Sequence, residues 1–207
     1  RRLVAAETLG AVTVVCSDKT GTLTKGEMQL ARIVVEGEEH DNHEKTSERK
    51  QIAFEEQHLF VLKAAALCNN AYIKNPKDEL HAWEMVGDQT DAALLMAALQ
   101  AGFDREKLNE EHHRLDEIPF NETYKFMATL HHGTQGEHMI FAKGAPEVML
   151  SMCDRLVREG RHQPITDRYR QTLEEEYRLL TAQGLRVLAV AFRPAKADME
   201  SFDELVP

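Results

Sequence analysis

The sequence predicts an α+β fold in which an antiparallel sheet is flanked by helices. Three observations carry this. Two strand-like runs, Ile118–His131 and His138–Lys143, are joined by the glycine-containing loop 133–136 and read as a hairpin. Helical patterns are segregated from these strands, as in α+β architectures. One strand is an exception: Leu9–Ser17 (LGAVTVVCS) is apolar on both faces and asks for neighbours on both sides, as in a buried parallel sheet. We therefore divide the chain into a short first piece, 1–26, and a main domain, 27–207.

Composition bounds the function. Among 207 residues, 35 acidic side chains outweigh 25 basic ones and leave a net charge of −10, which repels nucleic acid and anionic lipid. Three scattered cysteines, Cys16, Cys68 and Cys153, form no CxxC pair, and their odd number with no signal peptide points to a reducing compartment. No apolar run reaches the roughly 20 residues that span a bilayer.

The elements follow in order. A second strand is expected at Gln29–Val35. Residues 36–51 carry no apolar side chain and read as a solvated loop, with His40 and His43 as solvated polar residues. Phe54–Cys68 has apolar residues at helical spacing and stops at Asn69-Asn70. Tyr72–Trp83 reads as loop, broken by Asn75-Pro76. Gly87-Asp88 opens a helix, Gln89–Ala101, that Gly102 closes, and another helix is expected near Arg105–Glu111. After the hairpin, Pro146 suits the first position of a helix reaching Met152. Asp167–Gln183 is a charged amphipathic helix stopped by Gly184, and Leu185–Phe192 is a final buried strand. Residues 193–207 give no regular signal.

Chemistry begins at Asp18, which follows the first apolar strand and precedes a loop containing Gly21. Ligands gather outside the carboxyl ends of strands in α/β sheets, and a carboxylate there can attack a phosphoryl group. A turn-capping aspartate is the plainer alternative for so short a pattern. The longer string decides more. Cys16-Ser17 followed by DKTGTLT, residues 18–24, resembles the phosphorylation signature of the P-type cation-transporting ATPases. The resemblance implies that Asp18 takes the γ-phosphate of ATP as an aspartyl-phosphate. It also implies that Thr20 contributes a backbone carbonyl to Mg²⁺, with Asp18 as the other metal ligand. Related phosphatases carry a second aspartate where Thr20 stands. The first piece is then a fragment of a haloacid-dehalogenase-like phosphorylation domain.

Four further patches resemble that family's nucleotide-binding domain, in family order, so the likeness covers nearly the whole chain. In Gly87-Asp88-Gln89-Thr90-Asp91, Asp88 and Asp91 suit a helix cap and first turn; the resemblance puts this acidic pair beside adenine. Phe120 at a strand end is ordinarily a core residue. The resemblance has it stack on the adenine ring, with Lys125 and Met127 lining the pocket. Glu122 stands where relatives often have arginine. In Lys143-Gly144-Ala145-Pro146-Glu147, glycine permits close backbone approach and proline starts a helix; the resemblance sets Lys143 at the pocket floor beside Gly144. Arg186, at the start of the last strand, needs a partner for its charge; the resemblance sends it to the nucleotide's phosphates or ribose.

Neither GxxxxGK[ST] nor GxGxxG occurs, so ATP binding would not use a P-loop. The resemblance implies ATP and Mg²⁺ as cofactors, a monomeric ATP-binding fragment at the cytoplasmic face of a multi-pass pump, and the pump's remaining domains as partners. Calcium is the favoured ion from the LGAVTVVCSDKTGTLT and KGAPE strings. A haloacid-dehalogenase-type phosphatase would need a second aspartate at position 20. A non-enzymatic interaction domain would bind no nucleotide and would use another surface, such as the acidic stretch 36–48.

Overall fold

The computed structural model describes residues 28–35, 38–41, 56–76, 78, 83–158 and 161–205. The first apolar strand, the DKTGTLT segment with Asp18 and Thr20, and most of the charged loop lie outside them.

The central sheet is built from β5 (His112–Asn121), β6 (Phe126–Gly133), β7 (His138–Gly144) and β10 (Ala189–Ala195). These four strands are antiparallel and lie in the order β10-β7-β6-β5. The middle strands, β6 and β7, are buried almost throughout. The edge strands carry the polar residues and the prolines, Pro119 and Pro194, because an edge leaves one row of backbone groups outside the ladder.

Each face of the sheet has its own cover. Leu62 and Leu67 of α1 (Glu56–Leu67), Leu95 and Ala98 of α2 (Gln89–Gln100) and Leu108 of α3 (Arg105–Glu111) pack against Met127 and Phe141. On the other face Met149 of α4 (Pro146–Met152), Met199 and Phe202 pack against Ala128, Leu130, Ile140 and Ala142. Alternate residues of β6 thus serve two cores, so its sequence reads as continuous burial, not alternation. His131, inside the first core, is kept neutral: burial pushes its imidazole down to about 4.

Helix ends follow local chemistry. Asp88 caps α2 by accepting from the Thr90 N–H at 2.8 Å, and Pro146 begins α4 without a side-chain cap. Gly102 and Gly184 close α2 and α5 (Asp167–Ala182) at φ of 97° and 82°, which a side chain with a Cβ adopts only under strain.

Several elements differ from the sequence expectation. The run Ile118–His131 is two strands: the Asn121 carbonyl accepts from the Lys125 N–H at 2.6 Å, and the chain reverses there with Lys125 at φ 55°. The last strand starts at Ala189 and runs to Ala195. The expected charged loop contains β2 (Glu38–Asp41), paired with β1 (Arg32–Val35). The expected loop 72–83 begins with β3 (Tyr72–Ile73), paired with β4 (Met85–Val86). A further hairpin joins β8 (Arg155–Arg158) to β9 (Arg161–Pro164). The tail closes with a 3-10 turn, Phe202–Leu205, whose Phe202 is buried.

Candidate functional site

The end of β7 meets the start of α2. Lys143 is flanked across the sheet by Met127 on β6 and Val190 on β10, and is only 6% exposed. An ammonium group there needs a partner. It finds Asp91, on the first turn of α2, at 2.5 Å. The second oxygen of Asp91 accepts from the Asn70 N–H at 2.9 Å, and its carbonyl accepts from the fully buried Asn69 side chain at 2.9 Å.

The loop supplying these asparagines is clamped. Arg105 donates to the carbonyls of Ala66 and Asn69, and Arg114 donates to those of Leu67 and Asn69, both at 2.7 Å. These are carbonyls at the end of α1, where cations satisfy unpaired backbone groups. The chain Arg105/Arg114–Asn69/Asn70–Asp91–Lys143 is thus one continuous polar network beneath the site. The sequence shows Asn69-Asn70 only as a helix stop, and the two arginines carry no local signal.

The other residues singled out from the sequence lie at this end of the sheet or at the start of α2. Arg186 is exposed and donates to the Thr90 hydroxyl at 3.2 Å, beside Asp88. Burial raises the Asp88 carboxyl, but hydrogen bonds from Thr90 and Asp91 and the charge of Arg186 outweigh it and hold the group below its ordinary range. Gly144 pairs with Phe126, and a Cβ on it would lie 2.5 Å from the Lys125 carbonyl oxygen. Lys125 is exposed, with its ammonium 3.4 Å from Glu147. Phe120 is adjacent to Asn121, whose partner is Phe126 and through it Gly144, so it stands at the same end of the sheet as Lys143. It is 61% exposed, which contradicts the core-residue alternative. Asp18 and Thr20 lie outside the described residues.

The chain matches the family described as P-type ATPase, cytoplasmic domain N, over residues 60–205. This chain belongs to the P-type ATPases. Among similar curated proteins, the cation-transporting ATPase pma1 of Synechocystis is 34% identical over 98% of this chain and 23% of its own length. A calcium-transporting ATPase of Bacillus subtilis is 32% identical over 95% of this chain and 23% of its length. The human sodium/potassium-transporting ATPase subunit alpha-3 is 30% identical over 91% and 19%. The chain therefore spans about a quarter or less of the P-type ATPases it matches.

All four strands of the central sheet and, among the described residues, the helices α1–α5 except the first four residues of α1 fall within the matched N-domain range. The network beneath Lys143 is thus part of the N domain itself. Among the described residues no group of three or more His, Cys, Asp or Glu side chains is gathered to hold a metal ion. No helix among them is long and apolar enough to cross a membrane.

Proposed function

We propose that this N domain, residues 27–207, binds ATP at the end of the sheet that carries Phe120 and Lys143, beside the start of α2. The observation that carries the reading is a buried Lys143, held by Asp91, at the same end of the sheet as an exposed phenylalanine. An exposed aromatic ring loses apolar burial unless a flat ligand covers it, and adenine offers that surface. Asp91 and Asp88 offer acceptors for the exocyclic amine, Lys125, Met127 and Gly144 line the pocket, and Arg186 offers a guanidinium to phosphate or ribose.

We propose further that residues 1–26 belong to a phosphorylation domain completed elsewhere in a longer pump. There the Asp18 carboxylate attacks the γ-phosphorus of ATP in line, an aspartyl-phosphate forms and ADP leaves. Asp18 and Thr20 are the residues that would hold Mg²⁺, which would supply positive charge to the phosphates. The full pump would use this cycle to move a cation across a membrane from its cytoplasmic side, with Ca²⁺ supported by the names of several relatives. The remaining pump domains would be its partners, and the fragment alone would be a monomer that binds ATP without turnover.

The test is nuclear magnetic resonance of the 207-residue chain titrated with ATP. The reading expects saturable shifts at Phe120, Asp91 and Lys143 in the parent chain. In Phe120→Ala the shifts at Asp91 and Lys143 should vanish while the remaining spectrum is kept. Resonances unmoved at millimolar ATP would overturn it.

A further inference from the structure

The opposite end of the same strands gathers histidines. His113 of β5, His132 of β6 and His138 of β7 occupy successive partner positions across three neighbouring strands. Directly opposed residues share a face of the sheet. The rings of His132 and His138 stand closest, with centroids 4.7 Å apart and planes inclined by 58°.

The loop between β6 and β7 explains this approach. The Gly133 N–H donates to the Glu137 carbonyl at 2.8 Å, and the Gly136 N–H donates to the Gly133 carbonyl at 3.0 Å. Gly133 and Glu137 are therefore the hydrogen-bonded pair that closes the hairpin. The next pair inward, His132–His138, is of the non-hydrogen-bonded kind, whose side chains stand nearer one another. Two strands of a covered sheet fix both Cα positions. His138 is only 9% exposed, and its Nδ1 has no hydrogen-bond partner. His132, beside it, is exposed.

A buried imidazole nitrogen without a partner is a cost that nothing else in the described fold offsets. Two imidazoles held at this distance offer a way to offset it. With metal–nitrogen bonds of about 2.1 Å and a ring nitrogen about 1.1 Å from its centroid, rings 4.7 Å apart that each turn a nitrogen toward one metal would give a nitrogen–metal–nitrogen angle of about 95°. That angle lies between the square-planar and tetrahedral values that imidazole-bound metals adopt.

We propose that His132 and His138 form a binding site for an imidazole-preferring divalent transition metal such as Zn²⁺, Ni²⁺ or Cu²⁺. Among the described residues no third His, Cys, Asp or Glu side chain is already gathered with them, so water completes the shell. His113, opposite His132 on the outer strand, is the side chain that a ring rotation would bring in as a third ligand. The site is separate from the proposed nucleotide site, because His138 and Lys143 lie at opposite ends of β7, about 17 Å apart at strand rise. A metal there would cross-link the β6–β7 hairpin and so stiffen the two central strands.

Calorimetric titration of ZnCl₂ into the 207-residue chain tests this, with far-UV circular dichroism to check each variant. One tight equivalent is expected, weakened at least about tenfold in His132→Gln and in His138→Gln. His113→Gln should weaken it less, and the double variant His40→Gln/His43→Gln should not change it. His132 is exposed, so its replacement leaves the fold intact and keeps the test decisive even if His138→Gln is poorly folded. The proposal is overturned if Zn²⁺ does not bind, or if His132→Gln binds it as tightly as the parent chain.

Discussion

The Asp91–Lys143 pair can be taken apart by a double-mutant cycle. Both residues are nearly buried, at 9% and 6% exposure, and their charged atoms are 2.5 Å apart. Removing one partner of a buried pair leaves the other charge uncompensated and costs about 3–5 kcal/mol, whereas removing both charges costs far less. Lys143→Met strands the Asp91 carboxylate with the Asn70 N–H, and Asp91→Asn strands an ammonium between Met127 and Val190. Each single variant should therefore lose roughly 3–5 kcal/mol, and the double variant should lose less than the sum by about 2 kcal/mol or more. Against a total stability of about 5–15 kcal/mol, the singles remain measurable. Urea unfolding followed by far-UV circular dichroism reads all four corners. Additive losses, or single losses below about 1 kcal/mol, would show that the pair is solvated and that Asp91 does not hold Lys143.

Two further outcomes follow from local geometry. Gly144→Ala puts a Cβ 2.5 Å from a backbone oxygen and 2.6 Å from the Phe126 Cβ, contacts that only movement of β6 can relieve. It should cost about 1–3 kcal/mol and weaken ATP binding, and an unchanged urea midpoint would contradict the packing of β6 on β7. The Asp116 carboxyl is held below its ordinary range by the Phe202 N–H, at 2.8 Å, against a weaker opposing effect of burial. Because its folded value is depressed, this contribution is full above the unfolded value near 3.9 and fades as pH falls through the folded one. Solvent reaches the carboxyl and screens part of the effect, so Asp116→Asn should lower stability by only about 0.5–1 kcal/mol at pH 7. It should also flatten the fall of stability in acid, and parallel pH profiles for the two proteins would refute the contact.

What can be read in advance is whatever a few neighbouring residues decide. Asp88 before a helical pattern, Pro146 just past the end of a strand, and Gly102 and Gly184 after long helices each act through one turn of chain, and each marks the boundary expected of it. The elements that differ from expectation depend on distant partners. His112–Glu117 is largely polar, yet it is strand because β6 offers it a ladder and solvent takes its other edge. The reversal at 121–125 contains neither glycine nor proline, so nothing local announces Lys125 at positive φ. Arg155–Arg158 and Arg161–Pro164 pair through backbone groups that composition does not reveal. At the site, the motifs mark Asp91 and Lys143 separately, but the bond between them spans 52 positions and its asparagine support is silent in the sequence.

That pairing bears on how a nucleotide would be held. The chain carries a net charge of −10, and ATP is an anion, so the two repel at long range. The site does not counter this with a free basic patch. Asp91 compensates Lys143, Glu147 faces Lys125, and Asp88 and Thr90 face Arg186. Acidic and basic groups thus balance within the described site. On the proposed reading, attraction there comes from groups that act only at contact: the exposed ring of Phe120 and hydrogen bonds from a lysine already held in place. An arrangement of this kind favours the base of a nucleotide over its charge. It suits the proposed role, in which this domain holds one end of ATP while the phosphates are presented to Asp18.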